Sequence, residues 1–303
     1  MHMAETQERF NPADANQLTR QYLDSFLLEM RQIDADLPDT SLRLYGHSFR
    51  TPIMMAALSH LNNCWPDGMV EMARGAAAAG AVMWSGMGDD DELSRICDTG
   101  AKTIKIIKPY QDEDLLLHKI RHAERCGCIA VGIDIDHAFG HKGGYDNVLG
   151  YPMTPKSAQR LADFVRSTSL PFVIKGVLSV QDALKCADIG VKGIVVSHHH
   201  GIMPYAVPPL MVLPKIAQAV GKRMPIFVDC GLSSGMDAFK CLAFGATAVS
   251  VGRKIMEYLQ KDGAKGVEQG VEELTAQLSV AMARTGSHSI GTIDPGVLWR
   301  KDW

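Results

Sequence analysis

Ser197-His198-His199-His200-Gly201 directly follows the apolar run Gly193-Ile194-Val195-Val196, which makes it the segment best placed for chemistry. An imidazole at the end of a buried strand meets substrate at the sheet rim and can act as a general base near neutral pH. Two later apolar runs stop in a similar way. Pro225-Ile226-Phe227-Val228 leads into Asp229-Cys230-Gly231, and Ala246-Thr247-Ala248-Val249-Ser250-Val251 leads into Gly252-Arg253. Glycines there let backbone N–H groups approach phosphate oxygens, a helix N-terminus adds its dipole, and Arg253 supplies a bidentate guanidinium.

Lys175 ends the run Phe172-Val173-Ile174, where a cation opposes a bound anion, forms a Schiff base, or simply reaches out to water. Asp134 ends Val131-Gly132-Ile133, and Asp136 shares its side if the strand continues. A carboxylate there orients a histidine from another strand, with His199 the natural recipient; the plainer reading is that both aspartates cap a loop. The three adjacent histidines, with His137 and His141, raise the question of a metal. Neighbouring strand residues point to opposite sides and lack the usual ligand spacing, so no metal is expected.

These residues need a scaffold of alternating elements. Apolar runs occur at 52–57, 81–84, 103–107, 129–133, 171–174, 193–196, 225–228 and 246–251. Amphipathic stretches between them open on Asp89, Asp112, Ser179 and Ser234 and close at Gly100, Gly127, Gly190 and Gly245, as N-caps and C-terminal glycines do. Strands apolar on both faces and alternating with helices are parallel and covered, and eight of them close a TIM (β/α)8 barrel of the α/β class. The rim at the C-terminal strand ends then gathers all the residues named above. A helix is predicted from about Gln17 to Ile33, followed by a short hairpin or cap around Leu42-Leu44 and Gly46. This divides the chain into an N-terminal helical extension (1–45), the barrel (46–290) and a tail (291–303). The stretch from Asp136 to Pro155 reads as a loop arching over the barrel mouth.

The 303 residues are 46% hydrophobic and 21% charged with a net charge of −3, ordinary for a globular protein with a sizeable core; the charge gives no reason to propose a nucleic-acid or anionic-membrane partner, and a small-molecule substrate is expected. No apolar stretch approaches the roughly 20 residues that span a bilayer. Seven cysteines without a pairing framework fit reduced thiols, hence a cytoplasmic protein. Trp299 and Trp303 in the tail fit an oligomer contact. Met1-His2-Met3 reads as an added leader before a natural start at Met3.

From Thr51 to about Ile290 the chain resembles the FMN-dependent α-hydroxy acid dehydrogenases and oxidases, such as glycolate and lactate oxidase. The resemblance rests on Pro52-Ile53-Met54-Met55-Ala56, Lys175-Gly176-Val177, Ser197-His198-His199, Asp229-Cys230-Gly231, Gly235, Asp237-Ala238-Phe239-Lys240 and Val251-Gly252-Arg253. It implies an FMN site at Ala56, Ala57, Leu58, Ser85, Lys175, Ser197, Asp229, Gly231, Gly252 and Arg253. It also implies His199 as catalytic base, Asp134 as its orienting group, Lys175 at the flavin edge, and a tetrameric homo-oligomer. Where the family carries a substrate-clamping arginine, this chain has Ile202; His198 and His200 replace Asn and Gly, and Ser233 replaces a phosphate-loop arginine. Lys108 and His141 stand for a tyrosine and a second arginine, and Ile106 for a glutamine. Lys108, His137, His141 and His200 are therefore the candidates for a different substrate clamp. The implied function is oxidation of an α-hydroxy acid or related hydroxylated substrate. The alternatives are a non-redox flavin enzyme similar to type 2 isopentenyl diphosphate isomerase, and a flavin-binding barrel without hydroxy-acid chemistry.

Overall fold

The computed structural model describes residues 10–301; Met1-His2-Met3 and Trp303 lie outside them. The barrel strands are β1 (Ile53–Met55), β2 (Met83–Ser85), β3 (Thr103–Ile107), β4 (Ala130–Asp134), β5 (Phe172–Val177), β6 (Gly193–Val196), β7 (Ile226–Val228) and β8 (Ala248–Val251). All are parallel, in the order β1-β8-β7-β6-β5-β4-β3-β2. The ring closes where the Met55 N–H donates to the Val82 carbonyl at 3.0 Å and Leu58 bridges Ser85. Every expected apolar run overlaps one of these strands, and the α/β barrel is the expected one.

The interior is filled by Met54, Val82, Trp84, Ile104, Val173, Val195 and Phe227, with small Ala130 and Ala248 completing it. Their alternate neighbours face the helix layer, because strand side chains alternate sides. The hairpin Leu42–Leu44/His47–Phe49 closes the N-terminal end: Leu42, Leu44 and Phe49 join the interior cluster, and the Tyr45 hydroxyl donates to the Lys192 carbonyl at 2.7 Å.

The helices are α1 (Ala15–Asp24), α2 (Gly68–Ala79), α3 (Asp90–Asp98), α4 (Glu113–Arg125), α5 (Ala158–Arg166), α6 (Val180–Asp188), α7 (Pro209–Val220), α8 (Gly235–Ala243) and α9 (Arg253–Arg284), the last broken at Asp262-Gly263. The predicted caps form: Asp89, Asp112, Ser179 and Ser234 each accept from the backbone N–H three residues on. The N-terminal helix is shorter than its apolar spacing predicts. It ends at Asp24 because Phe26–Leu28 pairs antiparallel with Leu298–Arg300, and Phe26 packs edge-on against Tyr22 and Phe244. Pairing with a distant strand overrides the local helical periodicity here. Trp299 stays exposed, its indole N–H donating to Glu29 at 2.7 Å, so the tail rests on the chain's own N-terminal segment.

Candidate active site

At the C-terminal strand ends lies a cavity of about 420 Å³, within the size range of small-molecule and cofactor sites. It is lined by Ala56, Ala57 and Leu58 after β1, by Lys175, His199 and His200, and by Asp229, Cys230, Gly231, Gly252 and Arg253. Two helix N-termini meet there, and they are not equivalent. At α8 the Asp237 carboxylate accepts from the N–H groups of Ser233 (3.0 Å) and Ser234 (3.1 Å), so that end already holds its anion. At α9 the N-cap is Gly252 and no side chain caps the first turn, leaving backbone N–H groups beside Arg253 for an outside anion. The helix start also lies against the segment after β1: a Cβ at Gly252 would sit 3.4 Å from Ala56 Cβ. Donor set and cavity together fit a phosphate with a flat ring system beyond it.

Arg20 of α1, which no motif marks, braces this end. It donates to both Asp237 oxygens at 2.8 and 3.0 Å and to the Gly231 carbonyl at 3.3 Å. The guanidinium holds the Asp237 carboxyl below the usual range against the opposing effect of burial. Thus the position where Ser233 replaces an arginine is approached by a guanidinium from elsewhere in the chain, spent on the loop rather than offered to the ligand.

His199 lines the cavity. Its φ of +48° leaves the strand path and turns the ring over the cavity, while its N–H donates to Ser197 Oγ at 3.0 Å. Nδ1 lies 2.8 Å from Asp136 Oδ1, 3.3 Å from Asp134 Oδ2 and 3.0 Å from Lys175 Nζ. Asp136, in the turn after β4, is thus closer than the expected partner Asp134. Strand alternation does not put it there, since β4 ends at Asp134 and Ile135 is helical in conformation. Burial and the Lys175 ammonium favour neutral His199, yet Asp134 and Asp136 outweigh them and raise its pKa. Asp134 is pulled well below the carboxylate range by Lys175, His199 and Lys108 in spite of burial. Asp136 is pushed up to about 6 by burial and by Asp134 beside it. Lys175 lies 3.7–3.9 Å from Asp134, Asp136 and Asp229, which together raise its pKa against the burial that opposes them.

The three histidines separate. Buried His198 places Nε2 2.7 Å from Thr19 Oγ1 and accepts from the Gly201 N–H at Nδ1, so its Nε2 carries the proton. His200 sets Nδ1 2.6 Å from Asn16 Oδ1. Both therefore anchor α1 to the β6 loop; His200 also lines the cavity, and of the three only His199 meets Asp134 and Asp136. Of the proposed clamp, His137 reaches Nε2 of His199 at 2.9 Å, and Lys108 donates to Asp134 at 2.8 Å. His141 does not join them. It is exposed on a turn closed by the Gly143 N–H donating to the Gly140 carbonyl. Ser85 and Ser197 are buried behind the cavity wall rather than on it. Behind Ser85 stands Lys105, unmarked by any motif, which burial pushes down to about 8 and which donates to Ser85 Oγ at 3.3 Å.

Asp134, Asp136, His137 and His199 offer donor atoms within 4.8 Å of one another, a separation that would admit a metal ion. The ammonium groups of Lys175 and Lys108 already stand among them and balance the carboxylates, so the donor set favours an all-protein charge network.

If Arg253 binds the phosphate, Arg253→Met weakens FMN retention by roughly 1.5–3 kcal/mol, the worth of a charge-assisted hydrogen bond. Titration of apoprotein with FMN and with riboflavin, which lacks the phosphate, reads this: the preference for FMN shrinks at least tenfold. An unchanged preference places the phosphate elsewhere.

The model of the FMN-dependent dehydrogenase family matches residues 11–165 and 153–300. The chain is 28% identical over 295 residues to the peroxisomal (S)-2-hydroxy-acid oxidase GLO4 of Oryza sativa subsp. japonica, covering 86% of this chain and 81% of that protein. Glycolate oxidase 3 of Arabidopsis thaliana is 28% identical over 308 residues, covering 89% and 83%. Among solved structures, mandelate oxidase with (S)-2-phenylpropionate superposes with a TM-score of 0.86 at 29% identity, over 96% of this chain and 90% of that one. A family model that spans almost the whole chain, on a barrel whose rim fits the cofactor, makes this protein a member of the FMN-dependent dehydrogenase family.

Proposed function

We propose that this enzyme oxidises the CH–OH group of an α-hydroxy acid or a closely related hydroxylated compound, with His199 as the base. The observation that carries this reading is His199 at the cavity wall, its Nδ1 edge backed by Asp136 and Asp134, on the same cavity as the open α9 N-terminus. Bound FMN supplies the two-electron acceptor for such an oxidation. Ala56, Ala57, Leu58, Gly252 and Arg253 are the residues that would hold it. Asp136 and Asp134 stabilise the imidazolium that forms when His199 takes the substrate proton. Lys175 keeps those carboxylates ionised.

Substrate choice differs from that of a simple glycolate oxidase. Ile202, half-buried in the turn after β6, cannot pair with a carboxylate as a guanidinium does. Glycolate and lactate are expected to be poor substrates. Ile202→Arg is expected to raise kcat/KM on glycolate roughly tenfold or more, the value of one buried charge-assisted contact. Steady-state assays of both proteins check it, and no gain removes the clamp argument.

The test of the function is anaerobic mixing of the FMN-loaded protein with a panel of hydroxy acids and alcohols. Bleaching of the visible flavin band by one of them supports oxidation. Turnover that needs pre-reduced flavin and gives no net bleaching would instead favour a non-redox isomerase. The seven free thiols further support a reducing, cytoplasmic setting, and the exposed Trp299 a homo-oligomer, which sedimentation velocity would measure.

A further inference from the structure

Cys97 and Cys128 bring their sulfurs to 3.8 Å of each other, close enough for a thiol hydrogen bond in which either can donate. Cys97 lies in the last turn of α3 and is half-buried; Cys128 is buried, two residues before β4 begins. The contact joins residues from either side of β3, so no sequence spacing reveals it. Cys126, closer to Cys128 in the chain, has other partners: His122 Nε2 at 3.2 Å and Ser94 Oγ at 3.6 Å. The two sulfurs of the pair differ in character. The hydrogen bond to Cys128 holds the Cys97 thiol below its ordinary value and outweighs burial. The same bond and burial push Cys128 up. Burial also raises Cys126, Cys186, Cys230 and Cys241, which keeps those thiols protonated and slow to react.

We propose that Cys97 and Cys128 form an oxidation site for hydrogen peroxide, at which Cys97 reacts first and Cys128 closes a disulfide. A partly exposed, thiolate-prone cysteine beside a resolving one is the arrangement that such chemistry needs. In the first step the Cys97 thiolate attacks one peroxide oxygen and the O–O bond breaks. The sulfur is oxidised to a sulfenic acid, and the departing hydroxide takes up the proton that Cys97 released, leaving as water. In the second step the Cys128 sulfur attacks the Cys97 sulfur, and the S–O bond breaks. The hydroxyl leaves as water with the proton of Cys128. Two thiols are thus oxidised to one disulfide and one peroxide is reduced to two waters. The sulfurs close from 3.8 Å to the roughly 2.05 Å of a disulfide. Cys97 supplies that movement: it stands one residue from the helix end at Asp98, where helices fray, whereas the Cys128 N–H is held by the Ala123 carbonyl at 3.1 Å. The bond ties the end of α3 to the start of β4, at the opposite end of the strands from the rim that carries His199 and Arg253. It therefore leaves the cavity as it is and does not depend on what the rim oxidises.

The test is treatment of the FMN-loaded protein with a small excess of hydrogen peroxide, then maleimide labelling in denaturant and peptide mapping by mass spectrometry. Wild type loses two of its seven thiols. The peptides that carry Cys97 and Cys128 are recovered cross-linked, and a dithiol reductant restores both. Cys97→Ser keeps its remaining thiols reactive under the same treatment. Cys128→Ala, which leaves a small apolar side chain in the core, stops at a sulfenic acid on Cys97 that dimedone captures. Cys126→Ser still forms the cross-link. An unchanged thiol count in wild type, a cross-link through Cys126, or equal thiol loss in Cys97→Ser overturns the proposal. Mapping of the wild-type protein needs no variant, so poor folding of Cys128→Ala leaves the outcome readable.

Discussion

His199→Ala lowers kcat/KM by roughly 10²–10⁴-fold, the range for loss of a positioned general base, while the visible flavin band stays in place. The ring lines the cavity and meets the carboxylates at Nδ1, so its removal takes out proton transfer while Ala56, Ala57, Leu58, Gly252 and Arg253 stay in place. His199→Gln is no better, because an amide accepts a hydrogen bond but does not take up a proton at neutral pH. For wild type, activity falls as pH drops below the raised pKa of His199, since the base must be unprotonated to act. Asp136→Asn removes one of the two charges that raise it, and the acid limb then moves to lower pH. Stopped-flow reduction across pH measures both effects. Retention of more than a tenth of wild-type kcat/KM in His199→Ala would remove His199 from the chemistry.

Lys175→Met is the variant expected to cost most in stability. The buried ammonium faces Asp134, Asp136 and Asp229, and its loss strands carboxylates where water cannot reach them. Removing one partner of a buried ion network costs about 3–5 kcal/mol. The pH dependence has a definite sign. Asp134 has a folded pKa far below its unfolded value, so it contributes stability above pH 3.8 that is lost as pH falls through the folded pKa. Without Lys175 that depression shrinks, and the stranded carboxyls relieve themselves by binding protons. The gap between variant and wild type in urea unfolding is therefore larger at pH 7 than at pH 5. An equal gap at both values would mean that packing, rather than charge, is what the lysine provides.

Much of the scaffold was legible because its signals are local. Apolar runs, acidic or hydroxyl caps and terminal glycines report on residues within a few positions of one another, and each predicted barrel strand formed where such a run lay. His199, Lys175, Asp134 and Arg253 could be placed at the rim because a strand end in a barrel has a fixed address. Reading stopped where the outcome depended on chain segments far apart. The N-terminal helix gave way to a strand because residues 298–300 were there to pair with it. Arg20 reaches Asp237 across 217 positions, and no spacing rule carries that distance.

The order of elements, the closed parallel sheet and the gathering of an imidazole, a cation and a glycine-arginine pair at one rim were settled by the amino-acid order, since hydrophobic period and capping act over single turns of chain. Tertiary structure alone decided which carboxylate lies nearest His199, which helix start lacks a side-chain cap, and that His137 faces His199 while His141 is exposed. Those choices depend on backbone directions after the strands end, where alternation no longer constrains side chains and packing against distant segments does.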